Sequence, residues 1–159
     1  MKAVQYIRRK FHNLTHPVMG RILMLHRVVG QRSDGENREL EITPGFLEQT
    51  IRDYRQKGYR FVSIDEACDI IEKGRVGGPF VCLTFDDGYQ DNYDIAYPIL
   101  KQMEVPFAIY VTTGFIDNHL PMRWYSDEKL CITTESLKTL DADPLCTIGA
   151  HTVSHSRLD

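Results

Sequence analysis

The chain has 159 residues, of which 42% are hydrophobic and 26% are charged, and its formal net charge is −3 at pH 7. This length and apolar content suit one domain with its own core, and the small negative charge excludes a general electrostatic attraction to nucleic acid. No apolar run approaches the roughly 20 residues of a transmembrane helix. The composition therefore predicts a globular domain with neither a nucleic-acid partner nor a membrane span.

Residues 1–20 form a basic segment with apolar residues at helical spacing. The apolar positions are Val4, Ile7, Phe11 and Leu14, and the basic ones beside them are Arg8, Arg9 and Lys10. This pattern is compatible with a short helix packed on the domain, or with an amphipathic helix that makes a peripheral contact with a membrane. Because the segment has no apolar core of signal-peptide length, we expect a cytoplasmic protein.

Short apolar runs alternate with helical patterns from Arg21 onward, which is typical of βα units around a parallel sheet or barrel. Strands are predicted at 22–26, 60–63, 80–85, 106–111 and 147–150. A loop is predicted at 31–41, and helices are predicted over 44–57, 64–74, 95–103 and 134–140. Thr43 is a predicted N-cap before a proline, Gly58 has the usual C′ role, and Ser63 begins a capping box.

Two adjacent carboxylates, Asp86 and Asp87, follow the third predicted strand and precede Gly88. Neighbouring carboxylates repel one another at the end of a buried strand, and a bound cation would remove that repulsion. A solvated turn is the alternative, because Asp-Gly is a common turn dipeptide. This motif alone therefore leaves a metal site and a surface turn both open.

A second cluster, His151 and His155, follows the last predicted strand. On a helical turn, this spacing would place two imidazoles on one face, about 6 Å apart. A chance pair is an alternative in a chain with six histidines. Both clusters follow strands, however, and so project to the same rim. Two imidazoles and a carboxylate can bind a divalent metal with a position left for water, and the other carboxylate is then available as a general base.

Three further residues are candidate substrate contacts. His26 ends the first predicted strand and would face the same rim, although a hydrogen-bonded structural histidine fits this position equally well. Trp124 and Tyr125 lie in the segment after the fourth predicted strand. There they could stack on a sugar ring or anchor the loop against the core. The sequence leaves both interpretations open for all three residues.

Thr84-Phe-Asp-Asp-Gly88 together with His151-Thr-Val-Ser-His155 resembles the first two motifs of the polysaccharide deacetylases, the NodB-like carbohydrate esterases. Further segments resemble this family in the expected order, at 22–28, 58–63, 86–93 and 105–111. The resemblance implies a distorted (β/α)7 barrel of the TIM type. Since such barrels typically need about 250 residues, we expect residues 21–159 to be the N-terminal part of a catalytic domain, truncated after about five strands.

The resemblance also implies a chemistry. It implies removal of acetyl groups from N-acetylated sugars with a bound divalent metal, commonly zinc. Position by position, Asp86 matches the catalytic base, and Asp87, His151 and His155 match the metal ligands. The later family motifs, which include the histidine that acts as general acid, have no counterpart in these 159 residues. We therefore expect the parent protein to be a metal-dependent N-deacetylase of an N-acetylated polysaccharide or oligosaccharide.

Two other classes of function stay open. A metal-dependent phosphoesterase could use the same ligand set, but the predicted rim has little of the basic or glycine-rich character that favours phosphate. A non-catalytic glycan-binding fragment is the second alternative. The sequence does not determine the glycan, its linkage or the oligomeric state.

Overall fold

A computed structural model describes residues 20–73, 77–125 and 130–156 as an α/β fold around a parallel sheet. The strands are β1 (Gly20–Leu25), β2 (Arg27–Val28), β3 (Glu41–Ile42), β4 (Arg60–Phe61), β5 (Phe80–Asp87), β6 (Phe107–Val111) and β7 (Cys146–Ala150). β1, β5, β6 and β7 lie in that order in the main sheet, and β4 pairs with the start of β5. β2 and β3 form a separate parallel pair. The predicted parallel α/β architecture is confirmed.

Strand β5 lies inside the sheet and brings the site residues to its carboxyl edge. Asp87 is paired with Val111 of β6, and Val111 is paired with Ala150 of β7. The carboxyl ends of parallel strands therefore meet at one edge, which is where open α/β sheets place their functional groups. This pairing explains why residues far apart in the sequence approach each other.

In the part of the chain that the structure describes, four α-helices pack around the sheet: α1 (Pro44–Gln56), α2 (Ile64–Lys73), α3 (Tyr97–Gln102) and α4 (Thr134–Asp141). The hydroxyl of Thr43 accepts a hydrogen bond from the backbone of Phe46, and the hydroxyl of Ser63 accepts one from Glu66. Gly58 follows α1 with a φ of 79°, which favours glycine. The predicted caps of the first two helices are therefore confirmed.

Both faces of β5 are buried, which is why its sequence is a continuous apolar run rather than an alternating one. Val81, Leu83 and Phe85 belong to the main core, with residues of α1, α3 and β6. Phe80 and Cys82 belong to a smaller cluster with residues of α2. Burial of each large apolar side chain contributes about 1.5–3 kcal/mol, so the strand that ends in the two carboxylates is firmly fixed.

Two strand boundaries near the site differ from the predicted ones. β1 ends at Leu25, so His26 lies between β1 and β2 instead of within a strand. β5 continues to Asp87, two residues beyond the predicted end. The extension arises because β6 pairs with β5 as far as Val111, and such pairing is a tertiary property.

Other short elements were also predicted incorrectly. The predicted loop at 31–41 contains a 3-10 helix at Glu36–Leu40, and Glu41 begins β3. The second predicted strand is limited to Arg60–Phe61. Two-residue strands depend on their neighbours for hydrogen bonds, so the local pattern does not show them.

The predicted barrel is supported only in part, because the described strands form an open sheet rather than a closed barrel. None of the helices within 20–73, 77–125 and 130–156 is long and apolar enough to cross a bilayer. The basic N-terminal segment and its predicted membrane contact lie outside the described residues, apart from Gly20.

Candidate metal centre and active site

Asp87 is the last residue of β5, and only 3% of its side chain is exposed. Its φ of 74° lies in the left-handed region, and Gly88 follows with a φ of 80°. Non-glycine residues adopt this conformation at an energetic cost, and they are concentrated at functional sites. A Cβ at Gly88 would lie 3.1 Å from a methyl group of Val111. The Asp-Gly pair therefore forms a tight turn that directs the Asp87 carboxylate to the edge of the sheet.

The segment after β7 carries both histidines on a non-helical turn, so the prediction of a helical turn was wrong. Thr152 and His155 have left-handed φ values of 63° and 55°. The pairing between β6 and β7 continues past the strand ends, where the Gly114 N–H donates to the carbonyl of Val153 at 2.8 Å. Backbone pairing with the neighbouring segment, rather than helical periodicity, holds the two imidazoles on the same side.

The structure brings Asp87, His151 and His155 together. Oδ1 of Asp87 lies 3.6 Å from Nε2 of His151 and 3.2 Å from Nε2 of His155. The centroids of the two imidazole rings are 5.1 Å apart. The histidine side chains are 34% and 41% exposed, so the cluster is buried at the carboxylate and accessible from solvent at the imidazoles.

This cluster has the properties that a divalent cation requires. Within the described residues, the buried Oδ1 atom of Asp87 accepts no hydrogen bond, and an unpaired buried acceptor is energetically costly. Ligand atoms of Asp87, His151 and His155 all lie within 4.8 Å of one another. A carboxylate and two imidazoles form a common zinc ligand set that leaves one position for water. The donor set therefore fits the metal predicted from the sequence.

Asp86 precedes the cluster and is half-buried. Burial raises the pKa of its carboxyl group, whereas the neighbouring His151 and His26 act in the opposite direction. His26 therefore lies within electrostatic reach of Asp86, on the short link between β1 and β2. A carboxylate positioned beside the attacked group is a common general base in hydrolysis. Its role as a general base remains a prediction.

Tyr89 and Trp124 form a chain of hydrogen bonds to Oδ2, the second carboxylate oxygen of Asp87. The fully buried Tyr89 donates its hydroxyl proton to Oδ2 of Asp87 at 3.1 Å, and Trp124 Nε1–H donates to the Tyr89 hydroxyl at 2.7 Å. Burial raises the pKa of Tyr89 far above its usual range, and the nearby Asp87 acts in the same direction. Tyr89 therefore remains a neutral donor. The Trp124 ring also packs against His155, with centroids 4.7 Å apart.

A partly buried ion-pair network contacts the Tyr89 ring. The guanidinium of Arg27 lies 5.4 Å from the Tyr89 ring centroid and 4.7 Å from that of Tyr125. Arg27 Nε donates to Asp91 at 2.8 Å, and the Tyr125 hydroxyl donates to Glu41 at 3.2 Å. This network ties β2, β3 and the segment after β5 together.

The structure gives Trp124 and Tyr125 contacts that favour the loop-anchor interpretation. Both belong to a cluster around the buried Tyr89, although both remain half-buried, and a sugar contact stays a prediction. Neither Tyr89 nor Arg27 was predicted from the sequence to belong to the site. A tyrosine adjoining the Asp-Asp-Gly turn was the available indication, but Tyr89 is buried in a cluster with residues distant in sequence, among them its bridge partner Cys131.

A sequence model of one protein family matches residues 73–159, and its description is polysaccharide deacetylase. The chain belongs to the polysaccharide deacetylase family. The match includes both motifs of the metal cluster. The family assignment made from those motifs is therefore confirmed.

Relatives within the deacetylase family agree with this assignment. The chain is 34% identical over 93 residues to the poly-β-1,6-N-acetyl-D-glucosamine N-deacetylase of Escherichia coli (strain K12), covering 56% of this chain and 13% of that protein. The structure of IcaB from Ammonifex degensii matches with 30% identity and a TM-score of 0.69, covering 84% of this chain and 53% of that one. Streptococcus pyogenes deacetylase PplD, solved in complex with acetate, matches with 25% identity and a TM-score of 0.67, covering 88% and 59%.

The chain spans only part of these deacetylases. It covers between 13% and 44% of the length of the curated relatives it matches. The similarity therefore supports the fold and the location of the site, while the activity and substrate of the whole protein are proposals.

Proposed function

We propose that the protein is a metal-dependent hydrolase that removes N-acetyl groups from an N-acetylated polysaccharide or oligosaccharide. One observation carries the proposal: the buried, unpaired Oδ1 of Asp87 faces two histidines beside a second carboxylate. The family assignment indicates which chemistry this arrangement serves. Acetate bound to PplD is consistent with the same class of product.

In this proposal, Asp87, His151 and His155 would hold the cation, with zinc as the expected metal. When bound, such an ion polarises a carbonyl group and lowers the pKa of water to about 7. Asp86 would accept the proton of the attacking water, because Asp87 is the carboxylate within ion-pair distance of both histidines and is assigned to the metal. Water adds across the amide, so the C–N bond breaks and the products are acetate and a free amine.

The other residues would shape the site rather than react. His26 lies within electrostatic reach of Asp86 and is proposed to contact substrate near the base. The leaving amine needs a proton donor, and we assign none within 20–73, 77–125 and 130–156. Trp124 packs against His155, and Trp124 and Tyr125, which are both half-buried, are proposed to contact the glycan.

The test is product release by the complete protein from N-acetylglucosamine oligomers and from a phosphate monoester. We expect acetate and free amine in equal amounts, loss of both after metal removal with a chelator, and recovery on addition of zinc. Phosphate release without acetate would replace the deacetylase by a phosphoesterase. Glycan binding without either product, in the zinc-loaded protein, would indicate a non-catalytic binding protein.

A further inference from the structure

The hydrogen-bond chain from Trp124 through Tyr89 to Asp87 carries an inference beyond the proposed ligands. We propose that Tyr89 and Trp124 are positioning residues of the metal centre, which fix the Asp87 carboxylate so that Oδ1 faces the two histidines. This inference rests on the proposed metal-dependent function. Tyr89 and Trp124 lie outside the ligand set, and they would hold the ligands in position before the metal binds.

The direction of the hydrogen bonds follows from the chemistry of the groups. An indole Nε1–H can only donate, so the Tyr89 oxygen is the acceptor in the 2.7 Å contact with Trp124. The hydroxyl proton of Tyr89 is then free to point to Oδ2 of Asp87, 3.1 Å away. Trp124 therefore orients the donor, and the donor makes the two carboxylate oxygens of Asp87 inequivalent.

In the proposed metal centre, the two carboxylate oxygens of Asp87 have different roles. Oδ2 is occupied by Tyr89, whereas Oδ1 is buried without a hydrogen bond and lies 3.2 Å from Nε2 of His155. Rotation of the carboxylate would exchange these positions and break the bond to Tyr89. Outer hydrogen bonds of this kind orient metal ligands and tune their affinity.

Trp124 contacts both halves of the centre. Its indole N–H acts on Asp87 through Tyr89, and its ring packs against His155 and Phe115, with centroid separations of 4.7 and 5.8 Å. Asp87 ends β5 and His155 follows β7, which are not adjacent strands. The Trp124 side chain therefore helps to position two ligands, Asp87 and His155, that come from separate parts of the sheet.

A matched pair of variants separates positioning from packing. Tyr89→Phe keeps the aromatic ring in its pocket and removes only the hydroxyl that donates to Asp87. Tyr125→Phe is the control, because it removes a hydroxyl from the same aromatic cluster, but that hydroxyl donates to Glu41. Trp124→Phe is a second test, since it retains an aromatic ring beside His155 and loses the N–H that orients Tyr89.

The measurement is zinc affinity by calorimetric titration of the complete protein, with thermal melting of each metal-free variant as a folding check. We expect Tyr89→Phe to bind zinc about 10–100-fold more weakly than wild type, Trp124→Phe to be weakened as well, and Tyr125→Phe to be unchanged. Trp124 is the one tryptophan of these 159 residues and contacts His155, so the part of the fluorescence change that is lost in Trp124→Phe gives an independent titration curve in the two tyrosine variants. Excess zinc should restore the activity of Tyr89→Phe, since all three ligands remain.

The possible outcomes distinguish a failure of the positioning role from a failure of the proposed metal-dependent function. Wild-type zinc affinity in folded Tyr89→Phe would overturn the positioning role while leaving the metal site intact. If Tyr89→Phe does not fold, wild-type affinity in Trp124→Phe would overturn it in the same way. Equal weakening by Tyr125→Phe would also overturn it, because packing alone would then explain the loss. A wild-type protein that binds no zinc would contradict the metal site itself and the inference with it.

Discussion

Asp87 combines three properties at a single residue: a left-handed backbone, almost complete burial, and one carboxylate oxygen without a described hydrogen-bond donor. Each property is costly alone, and together they are explained by a bound cation. Asp86, one position earlier, is half-buried and has an ordinary strand backbone. The two carboxylates are therefore in different environments, which supports different roles for them.

The first prediction separates the two carboxylates. In the complete protein, Asp86→Asn should retain zinc but lose about 10²–10⁴-fold in kcat, because an amide cannot accept the proton of water. Asp87→Asn should instead lose most of its zinc, because one of three protein ligands is weakened. Zinc content by elemental analysis and acetate release under saturating substrate are the two measurements.

Asp94→Asn is the matched control for this pair. Asp94 is exposed and accepts a hydrogen bond from Gln90, so its zinc content and kcat should equal those of wild type. Loss of zinc from Asp86→Asn with retention by Asp87→Asn would show that the two assignments are reversed.

At the scale of elements, the position of the histidine turn depends on the segment after β6. Gly114 lies directly against that turn, and a Cβ added to it would meet the carbonyl oxygen of Val153 at 2.4 Å. The obstacle is backbone, which cannot move aside as a flexible side chain can. The lack of a side chain at Gly114 is therefore a requirement for the observed placement of the histidines.

The second prediction follows from this contact. Gly114→Ala should displace the turn and weaken zinc binding by about 10-fold or more, in the range seen for losses of ligand-supporting contacts. Gly45→Ala is the control, because nothing lies within 4 Å of a Cβ at that position and alanine favours a helix. Calorimetric titration with zinc is the measurement. Equal affinity in the two variants would show that the turn does not depend on Gly114.

The side chain of Asp143 links α3 to the short segment that precedes β7. Asp143 accepts hydrogen bonds from Tyr97 at 2.7 Å and from the Leu145 backbone at 3.0 Å, and its carboxylate lies 2.9 Å from the Lys101 ammonium. The hydrogen bond from Lys101, together with those from Tyr97 and the backbone, lowers the pKa of Asp143 from 3.8 to about 2. The charged form of Asp143 is therefore stabilised in the folded protein.

The third prediction is the pH dependence of this contact. A carboxyl group with a lowered folded pKa contributes stability that is present above its unfolded pKa and is lost as the pH falls through the folded value. Wild type should melt at a higher temperature than Asp143→Asn at pH 6, and the difference should shrink between about pH 4 and pH 2. Thermal melts across this range are the measurement. A constant difference down to pH 2 would exclude ionisation of Asp143 as the cause.

The sequence predicted most of the elements because their signals are local. The apolar run before Asp86, the cap at Thr43 and the glycine after α1 each act within a few residues, and all three are confirmed. The failures concern long-range pairing. The β2–β3 pair, the extension of β5 and the turn that carries His151 all depend on neighbours distant in sequence.

The residues of the candidate site also divide into those with local sequence signals and those that depend on long-range contacts. The ligand residues were found because both motifs follow strands whose carboxyl ends meet at one edge. Tyr89 was overlooked because its burial depends on pairing with Cys131 and on the side chains of Arg27 and Tyr125. Residues that position the ligands are thus harder to predict than the ligands, since their role is defined by tertiary contacts.

At the scale of the whole molecule, the sheet has one apolar strand face in contact with solvent. Ile22 and Met24 of β1 are 53% and 62% exposed, and alternate residues of a strand point to the same face. Within the described residues, β7 pairs only with β6. An exposed apolar face and an open strand edge both favour association with other chains.

The fourth prediction is that the 159-residue chain on its own self-associates. Light scattering during gel filtration should show species larger than a monomer, and a double variant, Ile22→Lys with Met24→Lys, should reduce them. Phe46→Lys is the control, because Phe46 is similarly exposed, at 59%, but lies on α1. A wild-type chain that is monomeric over a wide concentration range would contradict the prediction.

The central claim is that Asp87, His151 and His155 form one metal site, and the most direct test is the location of the ion. In crystals of the zinc-loaded complete protein, anomalous diffraction at the zinc edge should show one ion about 2.0–2.2 Å from Oδ1 of Asp87 and from one nitrogen of each histidine. Asp86 should not contact the ion directly. A zinc peak elsewhere, or none at this cluster under zinc excess, would contradict the claim.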